Sequence, residues 1–313
     1  MEAIEKSGID ELYNKLKSKE MQHLMKIHSE IRKALHLFFT KKMFYEISPV
    51  IVAPITDPLN HPVYKASVDY YGFPYGLTQS MIFHKQIALL SYDKVFIFSP
   101  NVRLEPVERG STGRHLAEFT QVDIEMKDVT REHVMDLAED MFIYTTKEVS
   151  ETCKEDLEYF GRKLQIPGKP FRRYSYIDEK NRYGNDFDMI LSKKEKNPFW
   201  IVDIPLMERE FYDREYENKE GILVDMDMYY PEGFGEAISG GEREYEYDKI
   251  LTRISKKGQT EEQFKYYLEF AKKGLPRTAG FGIGVERLTR YITGFDRIEE
   301  VVPFPRIINK FSF

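Results

Sequence analysis

Cysteine, tryptophan and excess positive charge are what this chain has least of. One cysteine, Cys153, among 313 residues excludes an internal disulfide framework. The seven histidines show no C-x-x-C or H-E-x-x-H spacing, so a structural zinc site is not expected. Lysine and arginine number 46 against 52 aspartates and glutamates, giving a net charge of −6. That balance argues against a broad nucleic-acid surface, which is built from clustered cations. No run approaches the length of an apolar membrane span, and the charged opening MEAIEKSGIDELYNKLKSKE is unlike a secretory signal. The expectation is a cytoplasmic protein without a membrane partner. Internal repeats and low-complexity stretches are absent too.

A hydrophobic content of 42 % with 14 % aromatics is that of an ordinary globular protein, and the working expectation is one domain over 1–313. Leu12, Leu16, Leu24, Ile27, Ile31, Leu35 and Phe38 recur at helical spacing and predict one long helix over 10–45. The apolar run EISPVIVAPI predicts an edge or interface strand broken by Pro49, SVDYYGFPYGL a hairpin, and SMIFHKQIALLSY a helix. KVFIFSPNVRLEP and EFTQVDIEM read as strands. The second alternates, with Val122, Ile124 and Met126 on one face and Gln121, Asp123 and Glu125 on the other. A long helix is predicted over 131–160, and the polar stretch 165–198 reads as a loop-rich insertion. FWIVDIPL, GILVDMDMYY and GEAISGGER resume strands before a helix at 261–273. Strands and helices segregate in blocks, so an α+β fold with an antiparallel sheet is favoured over a doubly wound one.

The stretch GFGIGVERLTR, 280–290, places three glycines at alternate positions ahead of a Glu-Arg pair. Its spacing is not the G-x-G-x-x-G of a dinucleotide site, and no Gly-Lys-Ser or Gly-Lys-Thr follows as a P-loop requires. Two readings remain: bare backbone laid against a nucleotide with Arg287 presented by a helix starting near Val285, or a close-packed strand-to-helix turn.

Three separated segments then agree. NVRLEPVERGSTGRHLAEFTQVDIEM, GEAISGGER and GFGIGVERLTRYITGFDRIEEVVPFPR together resemble the catalytic core of class II aminoacyl-tRNA synthetases, specifically the aspartyl and asparaginyl group, over about residues 20–307. The resemblance implies an antiparallel sheet flanked by helices and a homodimer built through the helix and strand around Pro49. It implies ATP as a substrate with Mg²⁺. Arg103 would hold the α-phosphate, because a guanidinium donates two parallel hydrogen bonds and spreads developing charge. Glu105 would accept from the adenine amino group and Phe119 would stack on the base, with Leu116 beside it. Arg114 and His115 would meet the β- and γ-phosphates, with Arg287 closing from the other side and Gly282 and Gly284 near the ribose. Glu236, with Glu125 or Asp227, would hold Mg²⁺, which takes only one or two protein carboxylates when phosphates supply the rest. The acidic face of 118–126 could equally be solvated.

For the amino acid, the aspartyl pattern Q-S-P-Q-x-x-K is similar to QSMIFHK, residues 79–85. Lys85 and Arg243 would clamp a carboxylate, favouring aspartate over an amide. Ser80, Gln121, Asp123 and Ser239 would complete the aspartate site. Four departures weaken the tRNA role that the resemblance implies: no anticodon-binding domain precedes the first motif, the loop between Arg103 and Arg114 is longer and lacks an Asn-Thr step, Ile82 replaces the second glutamine, and Arg277-Thr278 replaces Pro-His. The expectation is an aspartate–ammonia ligase, similar to asparagine synthetase A, forming a β-aspartyl-adenylate that ammonia captures to give asparagine and AMP. Arg103, Glu236 and Arg287 would be catalytic, and tRNA would not be a partner. Two alternatives stay open: transfer of activated aspartate to tRNA or a protein, and a non-catalytic paralogue.

Overall fold

The computed structural model describes residues 2–310, with side chains from residue 8. Its helices and strands run in chain order as α1 (Glu2–Lys17), α2 (Lys19–Lys41), β1 (Tyr45–Glu46), β2 (Val52–Ala53), β3 (Ser67–Tyr70), β4 (Phe73–Leu77), α3 (Ile82–Ala88), β5 (Lys94–Val102) and β6 (Glu118–Lys127). There follow α4 (Arg131–Thr152), α5 (Lys154–Tyr159), β7 (Arg172–Ser175), α6 (Tyr176–Tyr183), α7 (Phe187–Lys194), β8 (Phe199–Val202), β9 (Asp225–Tyr230), β10 (Gly235–Glu242), α8 (Tyr247–Lys256), α9 (Lys265–Lys273), β11 (Thr278–Gly284) and α10 (Val285–Thr293).

An eight-stranded sheet in the order β1-β5-β6-β11-β10-β9-β8-β7 forms the centre. Its inner pairs are antiparallel, and only the outermost pairs, β1 with β5 and β7 with β8, run parallel. This is the α+β architecture expected from the block order of elements. No described helix is long and apolar enough to cross a membrane.

Several elements differ from the sequence expectation for local reasons. The helix predicted over 10–45 is two: Ser18 caps α2, its side chain accepting from the Met21 N–H at 3.0 Å, and this interrupts the run. The run EISPVIVAPI yields only β1 and β2, because Pro49 offers no N–H and the segment passes from the main sheet to the small β2-β4-β3 sheet. The helix predicted over 131–160 breaks at Cys153 into α4 and α5. The stretch 165–198 is not loop-rich: it carries β7, α6 and α7, and β7 extends the main sheet at its edge.

The two faces of the sheet have opposite chemistry. On one, Phe96, Val122, Ile124, Phe281, Ile283, Ile238, Met226 and Trp200 pack against Ile27, Ile31 and Leu35 of α2, Met141 and Phe142 of α4, and Leu288 and Ile292 of α10. Each large apolar side chain buried there contributes about 1.5–3 kcal/mol. The other face carries the polar set Gln121, Asp123 and Glu125. Asp123 and Glu125 are buried rather than solvated. A second apolar cluster, including Phe83 of α3, Phe211, Ile250 of α8 and Tyr267 of α9, is separate from the helix-side core.

The alternate glycines of β11 follow from that register. Gly284, Gly282 and Gly280 stand opposite Gln121, Asp123 and Glu125 in turn. None of the three has a positive φ, so room and not backbone freedom is what they supply. A Cβ at Gly280 would sit 2.1 Å from the Ile124 carbonyl oxygen and 2.2 Å from Glu125 Oε2, and one at Gly282 would meet Asp123 Oδ1 at 2.9 Å. At Gly284 the nearest atoms are 3.7 Å away. Gly280→Ala is therefore expected to destabilise by about 3 kcal/mol or more and Gly284→Ala by less than about 1 kcal/mol, read from urea midpoints at unchanged m-value.

Candidate active site

The polar face of the sheet floors a cavity of about 370 Å³. The turn after β5, the start of β6, β10 from Glu236 to Gly240 and the junction of β11 with α10 all open onto it. Of the residues predicted from the sequence, Ser80, Lys85, Arg103, Glu105, Arg114, His115, Leu116, Phe119, Gln121, Asp123, Glu236, Ser239, Arg243, Gly284 and Arg287 line this one cavity. Glu125 and Asp227 do not.

One end is cationic. Arg103 donates from Nε to the Gln79 carbonyl at 3.0 Å, and its guanidinium lies 5.1 Å from the centre of the Phe119 ring. Burial, and then the neighbouring Arg287 charge, lower its pKa. Arg287, in the first turn of α10, pairs with Glu236 at 2.9 Å. Burial opposes ionisation of Glu236, but Arg287, Arg209 and Arg103 outweigh it and hold the carboxyl below its ordinary value. Arg114 lies 2.9 Å from the Met189 sulfur of α7, so the 165–198 stretch reaches the cavity. His115 contacts Thr112 Oγ1 through Nδ1 at 2.7 Å. Burial, with Arg287, Arg109 and Arg114, pushes its pKa down to about 3, leaving the ring neutral. Glu105 is occupied by His61, whose Nε2 lies 3.0 and 3.1 Å from its two oxygens.

The other end is a buried lattice of ion pairs. Lys85 reaches up from α3 to Asp123 at 3.2 Å, the Phe281 carbonyl at 3.2 Å and Glu125 at 3.5 Å. Asp57 fixes that helix, its carboxylate accepting from the Ile82 and Phe83 N–H groups at 2.7 and 3.0 Å. Burial raises the Asp57 pKa to about 6 against those bonds. Arg243 donates to Glu125 at 3.3 Å, to Asp213, and to the Gly280 carbonyl at 3.1 Å. Glu125 also accepts from Thr278 at 2.8 Å. Its place is thus beneath the floor, as the counter-ion of Lys85 and Arg243.

Sequence reasoning passed over Arg209, Asp213, Asp57 and His61. Arg209 stands in an irregular segment just before Phe211-Tyr212, with no motif around it. It bonds Asp225 at 2.9 Å, Ser239 at 3.2 Å and Asp227. Burial raises Asp225 to about 8 and Asp227 to about 6, with Arg209 opposing both shifts.

The donor set for Mg²⁺ is correspondingly thin. Among the described residues no group of three or more histidines, cysteines, aspartates or glutamates is arranged to hold a metal ion. Glu125 is committed to Arg243 and Thr278, and Asp227 to Arg209. Glu236 alone of the three lines the cavity, which fits a single carboxylate meeting a metal that phosphates carry in.

Two outcomes are expected. Lys85→Met strands Asp123 and Glu125 without a nearby lysine and should cost about 3–5 kcal/mol in urea unfolding. For His115, the folded pKa lies below that of an unfolded histidine, about 6.5, so the unfolded chain binds the extra proton and stability falls as pH drops from about 6.5 toward 3. His115→Gln should lessen the loss between pH 7 and 5, read from urea midpoints at each pH.

Comparison with known proteins gives the following. The family described as tRNA synthetases class II (D, K and N) matches residues 5–308. An asparagine–tRNA ligase of Koribacter versatilis is 31 % identical over 317 residues, which are 94 % of this chain and 71 % of that protein. The crystal structure of asparaginyl-tRNA synthetase from Pyrococcus horikoshii, complexed with asparaginyl-adenylate, superposes with a TM-score of 0.86 at 26 % identity, covering 95 % of this chain and 71 % of that one. The Entamoeba histolytica asparaginyl-tRNA synthetase complex gives 0.84 at 22 % identity, with 95 % and 70 % covered, a likeness that bears on the fold alone.

Proposed function

The chain belongs to the class II tRNA synthetase family (D, K and N), and from that premise we propose that it activates aspartate or asparagine with ATP and transfers the acyl group to tRNA. The observation that carries this reading is the convergence of Arg103, Arg114 and Arg287 on one cavity whose far end is the Lys85–Asp123–Arg243 lattice. Arg103 would hold the α-phosphate as the amino-acid carboxylate attacks it and pyrophosphate leaves. Arg114, Arg287 and the neutral His115 would receive the β- and γ-phosphates. Glu105, released from His61, would accept from the adenine amino group, with Phe119 and Leu116 against the base and Gly284 near the ribose. Mg²⁺, held by Glu236, would supply neutralisation of phosphate charge. Gln121, Ser80 and Ser239 would contact the amino acid. A homodimer through the segment around Pro49 accords with the exposure of Met43, Tyr45, Ile51 and Val52 there.

The expectation that tRNA is not a partner loses its support, since the relative at 31 % identity is an asparagine–tRNA ligase. The aspartate–ammonia reading becomes the second one. What favours it is Ile82, which lines the cavity where the Q-S-P-Q pattern has its second glutamine and leaves the α-amino group without that amide. In that case the β-carboxylate attacks the α-phosphate and pyrophosphate leaves, and ammonia then displaces AMP from the acyl carbon and loses a proton to give the amide.

Labelled-pyrophosphate exchange with aspartate, asparagine and lysine in turn, followed by charging of bulk tRNA, checks the main reading. Exchange with aspartate or asparagine and acid-labile labelling of tRNA are expected. Asparagine and AMP appearing from aspartate, ATP and ammonium without tRNA would favour the second reading instead. Arg103→Ala and Arg287→Ala should each lower exchange by about 10²–10³-fold.

A further inference from the structure

Between Arg103 and Arg114, in the loop that is longer than the pattern it resembles, stands a further arginine. Arg109 sits in a short 3-10 helix, Val107–Thr112, with its side chain 37 % exposed and lining the cavity. The loop is anchored on two sides. Ile308 packs 3.4 Å from where a Cβ on Gly110 would stand, and the Gly113 carbonyl accepts from the Ile298 N–H at 2.8 Å.

The hydrogen bonds around His115 assign its proton. The Thr112 hydroxyl donates to the Arg109 carbonyl at 2.8 Å, because a carbonyl can only accept. Its oxygen is left to accept, from the Arg114 N–H at 3.3 Å and from His115 Nδ1 at 2.7 Å. Across the ring, Arg109 Nη1 lies 3.4 Å from His115 Nε2, and a guanidinium can only donate. Both contacts demand one tautomer, with the hydrogen on Nδ1 and a lone pair on Nε2. That lone pair would repel a phosphate oxygen, so His115 can serve an anion only through the donor covering Nε2.

That donor has capacity to spare. Among the described residues the Arg109 guanidinium donates to His115 alone, which leaves four of its five N–H bonds. Glu105 does not take them: its Oε2 is 4.0 Å from Arg109 Nε, beyond hydrogen-bond reach, and both its oxygens meet His61. The charges of Arg109, Arg114 and Arg287 all act against a proton on His115. Three cations around one neutral ring suit a polyanion.

We infer that Arg109 is a further contact of the polyphosphate end of ATP, and that Thr112 and His115 are positioning residues that aim it. The part of His115 at the β- and γ-phosphates is then exercised through Arg109, whose planar fork can grip two oxygens at once. This rests on the reading that the cavity activates an amino acid with ATP.

The experiment compares the calorimetric Kd of ATP and of adenosine, and the KM of ATP in pyrophosphate exchange, across the full chain and its Arg109→Ala, Arg109→Gln and Thr112→Val variants. Arg109→Ala should weaken ATP about 10–100-fold, the loss of charge-assisted hydrogen bonds, while adenosine, which has no phosphate, stays within about twofold. Arg109→Gln can still donate to His115 but carries no charge, and it gives the same reading should Arg109→Ala not fold. Thr112→Val should raise the KM of ATP about 3–10-fold alone and add less than about twofold to Arg109→Ala, because it acts through that guanidinium. Unchanged ATP binding in the Arg109 variants, or equal weakening of ATP and adenosine, overturns the assignment. So does a loss confined to the KM of tRNA in charging, which would give Arg109 to the RNA. Additive losses in the double variant overturn the positioning roles. Absence of ATP binding and of exchange with aspartate and asparagine in the unaltered protein overturns the activation reading itself, and the assignment with it.

Discussion

The carboxylates and amide of β6 lean over the neighbouring strand, and the rest of the site depends on that strand having nothing in the way. Gln121, Asp123 and Glu125 are opposite Gly284, Gly282 and Gly280, and a Cβ at the last of these would overlap the Glu125 carboxylate. Because side chains alternate across a strand, the residues between the glycines, Phe281 and Ile283, fall on the opposite face and enter the helix-side core. One register thus sets both the apolar packing that holds the sheet and the polar floor that the cavity uses.

A floor of buried carboxylates needs cations supplied from elsewhere in the fold, since an unpaired buried charge is strongly destabilising. Lys85 comes from α3, Arg243 from just beyond β10, and Arg209 from the segment between β8 and β9. Asp57 ties the start of α3 down from a loop far back in the chain. The site is held by ion pairs linking segments distant in sequence, so its shape belongs to the folded sheet and to no single motif. The same pairing explains why Glu125 and Asp227, which look like metal ligands beside a nucleotide motif, are turned to arginines.

Much was legible in the sequence. The block order of elements pointed to an antiparallel α+β sheet, the alternation in EFTQVDIEM to a two-faced strand, and the three motifs to residues that do share one cavity. The helix predicted over 10–45 failed at Ser18, and the 165–198 stretch hid a strand and two helices behind a polar composition. In both places a local cap or a tertiary pairing outweighed periodicity. The similarity of QSMIFHK to the aspartyl pattern singled out Lys85, but a sequence pattern could not reveal that in the fold it pairs with Asp123 and Glu125.

By itself the sequence determined which chemistry this protein has to offer: the arginines, the acidic strand and the glycines at every second position of β11. Spacing along a chain fixes which face a side chain takes, because that depends only on the local backbone period. Only the tertiary structure decided which charges are spent and which stay available. Counter-ion pairing is a matter of distance in space, and Arg209, without any motif around it, meets Asp225, Asp227 and Ser239 only once the sheet has closed.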